Sequence, residues 1–289
     1  MKSKDWLAFI LLGTIWGSSF LWIKIAVQEI GPLLLVALRL LFGILALLVL
    51  VLYNRPEWPR QRRLWINLTI LGIINNAIPY TLISWGEQYI DSAVAATLNS
   101  TAPLFTMIVA HLFLTDDRMT RRRVFALLLG FVGIFVLFSR DLSGGPLGTL
   151  LGQLAVLLAA ISYAFASVFA RRTTQGLSPV MQALVPLFGA DLLLWTLAPI
   201  VESPLTLPQL PLTWVAIIWL GVMGVAVAFI LYFYLLHSVG PTRTVLVTYV
   251  FPLVGVILGV VFLHEQLDWQ LLAGAFLVIA SVVLVNTSR

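Results

Sequence analysis

The sequence predicts an all-α integral membrane protein, with ten transmembrane helices arranged as two inverted five-helix repeats. Three observations predict it. Hydrophobic residues make up 61% of the chain and charged residues 10%, with a mean hydropathy of +1.03, so polar groups are too few to cover a water-soluble globule. Apolar runs long enough to cross about 30 Å of hydrocarbon, at about 1.5 Å per residue, recur through the chain between short polar breaks. Finally, the stretch 91–117 is echoed at 240–265, with Pro252 in the place of Pro103 and Glu265 in the place of Asp117.

The first run, from Trp6 to about Val27, follows Lys2 and Lys4. It is longer than the apolar core of a secretory signal and has no small-residue cleavage site, so it is read as a retained span. Runs at about 32–53, 64–85, 92–114 and 123–140 complete the first set, and 148–170, 179–201, 212–236, 242–263 and 269–286 form the second. Pro79, Pro103, Pro186, Pro199 and Pro252 fall within spans, where each removes a backbone hydrogen bond and marks a kink. Gly13 with Gly17, and Gly255 with Gly259, have the spacing that lets helices approach closely.

The echo extends beyond its proline and acid. Ala126, Gly130 and Gly133 follow Asp117 at the intervals at which Gly274, Val278 and Ser281 follow Glu265, and Trp16, Lys24, Pro32 and Arg39 lie 147 residues before Tyr163, Arg171, Pro179 and Pro186. The chain therefore divides into repeats at 1–145 and 146–289. The polar breaks alternate in charge. Lys2, Lys4, Arg55, Arg60, Arg62, Arg63, Arg118, Arg121, Arg122, Arg123, Arg171, Arg172, Arg243 and Arg289 fall on one side, 14 of the 17 basic residues, leaving Lys24, Arg39 and Arg140 toward the other. The positive-inside rule then puts both termini in the cytoplasm and the protein in the cytoplasmic (cell inner) membrane. Five spans are an odd number, so the second repeat enters the bilayer upside down. Secondary transporters use that architecture to place one substrate site near the midplane.

Polar residues inside the spans are the candidate site. Asn76, Tyr80, Ser84 and Glu87 recur at helical spacing and form one stripe in the third span. Asn99 in the fourth span, Thr248 and Tyr249 in the ninth, and the repeat-equivalent Trp16 and Tyr163 add polar and aromatic surface suited to a small organic solute. The same groups could equally bond neighbouring helices. Arg39 and Asp191 are charges within spans, each costing about 3 kcal/mol if left facing lipid. Asp191 is either a proton-binding site for coupled transport or, the favoured reading, simply protonated or bonded to another helix, with Arg39 reaching toward the outer surface. Pro103 and Pro252 are candidates for shaping two gating helices, or for static bends.

Other chemistries find little support. With no cysteine, the chain has no disulfide and no thiolate. His264, Glu265 and Asp268 lack the second histidine of a metalloprotease motif, and His111 and His237 are isolated, so no metal site and no cofactor are expected. No phosphate-binding glycine loop, nucleophile elbow or catalytic carboxylate pair occurs, so the chain is not read as an enzyme. The net charge of +5 sits in inter-span breaks rather than on one face, which argues for topology and against nucleic acid. The sequons at Asn67, Asn99 and Asn286 lie within spans or on the cytoplasmic side, where glycans are not expected.

The motif IWGSSF from Ile15 to Phe20, the Pro32 to Arg39 segment and the two Pro-to-acid blocks ending in Asp117 and Glu265 resemble the EamA-type exporters of the drug/metabolite transporter superfamily, over nearly the whole chain. Asp117, in place of the more usual Glu, and Pro186, in place of the family's second Arg, depart from that pattern. The resemblance implies ten helices around a central cavity and export of small metabolites, amino acids first among them, with the bilayer and a small-molecule substrate as partners and a homodimer left open. Sugar-phosphate, nucleotide-sugar or drug transport within the superfamily is the alternative, and a structural or regulatory membrane protein is the alternative outside it.

Overall fold

The structure is a computed structural model that describes residues 2–114, 119–142 and 146–286, so Asp117, Arg118 and Arg289 lie outside the described residues. No strand occurs among the described residues. The first half contributes α1 (Ser3–Ala26), α2 (Pro32–Asn54), α3 (Arg62–Gly86), α4 (Ser92–Phe113) and α5 (Arg121–Leu142). The second contributes α6 (Leu147–Thr173), α7 (Pro179–Val201), α8 (Pro211–Ser238), α9 (Arg243–Leu263) and α10 (Trp269–Asn286). Among the described residues nine helices, α1 to α9, are long and apolar enough to cross a membrane, and α10 is apolar but shorter. Leu52, Phe135, Ile200 and Phe276 are among the large apolar side chains exposed on the outside of the bundle.

Prolines open α2, α7 and α8 in the first turn, where the missing N–H would have had no partner. Inside the bundle the irregular turns fall at matching places. α3 widens to a π turn over Ile73–Ala77, just before Pro79, and α8 does the same over Trp219–Val227, about 147 residues on. α4 breaks at Ser100 and Thr101 because Pro103 supplies no N–H to the Asn99 carbonyl, and α9 passes through a 3₁₀ turn at Leu246–Tyr249 ahead of Pro252. Local hydroxyls hold these breaks together. Thr97, Ser100 and Thr101 donate to the carbonyls of Ala93, Thr97 and Leu98 at 2.8, 2.7 and 2.5 Å, and Thr248 donates to Val245 at 2.9 Å.

Packing between the halves follows the repeat. α2 lies on α7, α4 on α9 and α5 on α10, each helix against its own counterpart, and the α1–α9 contact is matched by α4–α6 and the α1–α8 contact by α3–α6. Small residues set these approaches. A Cβ at Gly13 or Gly17 would meet Val250 or Val254 at 2.7 Å, and one at Gly72 would lie 1.8 Å from the Pro186 carbonyl oxygen, so α3 crosses α7 backbone to backbone. One apolar core joins α1, α4, α8 and α9, and a second joins α2, α3 and α7, with Trp195 packed against both.

The ends of the bundle differ in charge. One carries Lys2, Lys4 and the arginines around 55–63, 121–123 and 171–172, and is termed the basic face. The other, the carboxylate face, gathers the segments 27–31, 87–91, 202–210 and 264–268. There three glutamates tie the halves together by capping helix N-termini. Glu29 accepts from Leu210 N–H at the start of α8, Glu202 from Leu33 and Leu34 in α2, and Glu265 from Ser92 and Ala93 in α4.

Candidate functional site

The polar stripe of α3 turns into the bundle. Asn76, Ser84 and Glu87 are buried, the last two fully, while Tyr80 is half-buried. Arg39, at 4% exposure on α2, lays its guanidinium over the Tyr80 ring, 3.9 Å from the centroid. The expectation that Arg39 reaches the outer surface is replaced by this inward contact. Ring stacking suits a planar guanidinium because its faces are weakly hydrated and the ring's face is electron-rich. Tyr163, the repeat counterpart of Trp16, is half-buried on α6 and close enough to Tyr80 and Arg39 to interact electrostatically.

The π turns explain two further contacts. A π turn shifts the backbone hydrogen-bond register and leaves carbonyls free for other donors. The Gly224 carbonyl in α8 accepts from Trp16 Nε1 at 3.1 Å, and the Ile74 carbonyl in α3 accepts from Ser162 Oγ at 2.6 Å. Each half thus offers the π turn of its third helix to the first helix of the other half. Around Trp16 stand Tyr232 and Phe251, with ring centroids 5.9 and 6.0 Å away, and Trp219 donates through Nε1 to Ser18 Oγ at 3.1 Å.

Several buried groups here have no hydrogen-bond partner among the described residues: Arg39 Nε, Asn76 Oδ1, Thr81 Oγ1, Ser84 Oγ, Asn99 Oδ1 and both carboxylate oxygens of Glu87. Buried polar atoms are ordinarily paired, and each unpaired one costs about 1–3 kcal/mol, more when charged. Four of these six residues, Asn76, Thr81, Ser84 and Glu87, lie on α3, with Arg39 on the neighbouring α2 and Asn99 on α4. Lys24 approaches Glu87 through its backbone, donating from Nζ to the carbonyls of Glu87 and Ile90 at 2.7 and 2.8 Å.

Other predicted residues stand apart. Asp191 is buried on α7, with Oδ1 unpartnered and Trp195 one turn along as its side-chain neighbour. Tyr249 spends its hydroxyl on the Val282 carbonyl of α10 and packs with Leu104 and Val278, and Thr248 bonds its own helix. Pro103 and Pro252 lie just past the breaks in α4 and α9. Glu265 and Asp268 are engaged as caps, of α4 and of the Leu271 N–H respectively, and no metal-holding group of three occurs among the described residues. The sequence reading missed Trp219, Tyr232, Phe251, Thr81 and the carbonyl of Gly224. Only the aromatic content around the first and eighth spans hinted at them.

The EamA-like transporter family model matches the chain twice, over residues 4–139 and 150–287. The uncharacterized inner membrane transporter YedA of Escherichia coli (strain K12) is 31% identical over 288 residues, covering 98% of this chain and 90% of that one. A protein of Salmonella typhimurium (strain LT2) named a probable amino-acid metabolite efflux pump is 27% identical over 293 residues, covering 98% and 94%. A solved crystal structure 20% identical in sequence has the same fold, with a TM-score of 0.69 over 99% of this chain and 98% of the other.

Proposed function

Since the chain belongs to the EamA-like transporter family, we propose that it is a secondary active transporter that exports small metabolites, most readily amino acids, across the cytoplasmic membrane by alternating access. The observation that carries this reading is the buried Arg39 over Tyr80 between α2 and α3, with unpartnered polar groups along α3. A guanidinium whose Nε is unpartnered, beside amide and hydroxyl groups, suits a carboxylate, and the aromatic wall of Trp16, Tyr232 and Phe251 suits an apolar side chain. A relative named for amino-acid metabolite efflux points the same way.

In this account the repeats at 1–145 and 146–289 run in opposite senses, the basic face is cytoplasmic with both termini, and the carboxylate face is external. Asn76, Tyr80, Ser84, Asn99, Trp16 and Tyr163 line the substrate path, and Thr248 and Tyr249 flank it on α9. Pro103 and Pro252 let the two halves of α4 and α9 move separately. Asp191, whose side-chain neighbour Trp195 lies on its own helix rather than on another, is put forward as the carrier of the coupling proton. Phosphorylated solutes are the second reading, supported by Arg39, but they would call for more than one deep cation.

The test is uptake of labelled amino acids into proteoliposomes with and without an imposed proton gradient, for the wild type and Asp191→Asn. Gradient-driven accumulation in the wild type that Asp191→Asn loses, with gradient-free exchange retained, supports the coupling role. An unchanged response to the gradient in Asp191→Asn removes it.

A further inference from the structure

Glu202 and Glu265 make the same kind of contact at two helix pairs, each pair formed by repeat-equivalent helices. Glu202, at the end of α7, accepts from Leu33 N–H at 2.7 Å through Oε1 and from Leu34 N–H at 3.0 Å through Oε2. Glu265, just past α9, accepts from Ser92 N–H at 2.7 Å and Ala93 N–H at 3.1 Å in the same two-oxygen manner. Both caps come from the second half and seize a helix of the first, and both close a pair of repeat-equivalent helices, α2 with α7 and α4 with α9. A glycine admits each carboxylate. A Cβ at Gly31 would lie 2.2 Å from the Glu202 carboxyl carbon, and one at Gly259 would lie 2.3 Å from Glu265 Oε2.

Beneath the Glu265 cap the first half of α4 is sealed. Residues 92–98 are all buried, with Ala96 against Gly255 and Ser92 against Gly259. Beyond the break the second half of α4 lies on α6, and Ala102, Pro103, Phe105, Thr106 and Ile108 regain partial exposure. Thr248 and Tyr249, on the same side of the kink in α9, are also half-exposed. The halves of α4 and α9 nearer the carboxylate face are therefore closed on each other, and the halves nearer the basic face are not. Above the cap, a recess of about 360 Å³ lined by Lys24, Gln28, Asp91, His264 and Glu265 opens on the carboxylate face.

We infer that Glu202 and Glu265 are the latches that hold the external side of the transport path shut, each by clamping the N-terminus of a first-half helix, and that the recess is the vestibule into which the path opens when they release. A carboxylate on two successive N–H groups is a charge-assisted contact at the positive end of a helix, strong enough to set an equilibrium between two packings yet lost by a rotation of the side chain. These are positioning residues: they act on helices rather than on substrate. The inference rests on the alternating-access reading, but its test needs no substrate.

Because the chain has no cysteine, single reporters label cleanly. Ser92→Cys, under the latch, is probed with a membrane-impermeant maleimide from the carboxylate face, and Thr106→Cys, beyond the break, from the basic face. Adding Glu265→Gln is expected to raise Ser92→Cys labelling roughly ten-fold, the effect of losing a charged helix cap, and to lower Thr106→Cys labelling, whereas Glu265→Asp keeps the charge and moves both less. Glu202→Gln should give the same paired shifts at the matching cap, so a variant that fails to insert leaves the other to decide. Unchanged Ser92→Cys labelling, or a rise at both reporters as in general loosening, overturns the latch and leaves the transport reading standing.

Discussion

Replacing Arg39 with Met separates a binding role from a packing role, because the two predict opposite signs of stability change. A cation at this depth costs about 3 kcal/mol in a membrane span, and the close contact that offsets it is the Tyr80 ring at 3.9 Å, worth about 0.5–2 kcal/mol, with Glu87 and Tyr163 acting at longer range. Its Nε has no hydrogen-bond partner among the described residues. The difference leaves Arg39 destabilising by at most about 2.5 kcal/mol, so a Met of similar length should raise the midpoint of thermal unfolding in detergent by up to a few degrees. Exchange of labelled substrate should fall at least about ten-fold in the same variant, since one charge-assisted hydrogen bond to a carboxylate is worth about 1.5–3 kcal/mol. Arg39→Lys, which keeps the charge but loses the planar stack, should recover part of that exchange. A Met variant that unfolds earlier while transporting normally would refute the reasoning and make Arg39 a structural strut.

Gly72→Ala should destabilise the bundle by about 2–3 kcal/mol or more, because its Cβ would fall 1.8 Å from the Pro186 carbonyl oxygen and neither backbone can yield cheaply; an unchanged unfolding midpoint contradicts the α3–α7 crossing. Glu29 responds to acid. The Thr213 hydroxyl, with the N–H groups of Gln209 and Leu210, holds its carboxyl below the usual 4.5. A depressed folded-state value contributes stability above the unfolded value that is lost as pH falls through the folded one, so acidification from neutrality to below about pH 4.5 should cost the wild type more thermal stability than Glu29→Gln, and equal losses contradict the cap. Pro103→Ala and Pro252→Ala should each slow exchange several-fold while leaving binding intact, if restoring the missing N–H straightens the hinge of α4 or α9; normal exchange in both makes the prolines static bends.

The sequence makes the large features legible because each has a local physical cause. Apolar runs declare helices, an arginine-rich break declares a face, and Pro103 and Pro252 declare interruptions, although the break in α4 falls two residues early because a proline withdraws its bond from the preceding turn. The α3 stripe at Asn76, Ser84 and Glu87 also lies inside the bundle, as its spacing suggests. What escaped depends on partners far apart in the chain. Trp16 reaches Gly224 across 208 positions and Glu202 reaches Leu33 across 169, and no spacing rule links them. The π turn of α3 has Pro79 as a signal, whereas that of α8 has no proline and shows itself only through its repeat counterpart. Arg39 reads from sequence as a charge within a span that reaches toward the outer surface, and only packing turns it toward Tyr80.

The central claim, that this chain moves a small metabolite through a site built on Arg39 and the α3 stripe, is tested most directly by counterflow. Proteoliposomes holding the purified protein are preloaded with one unlabelled amino acid at a time and given the same compound labelled outside. The account predicts transient, saturable accumulation of label for at least one neutral amino acid, abolished by Arg39→Met. Accumulation of no amino acid, or accumulation indifferent to Arg39→Met, would contradict it.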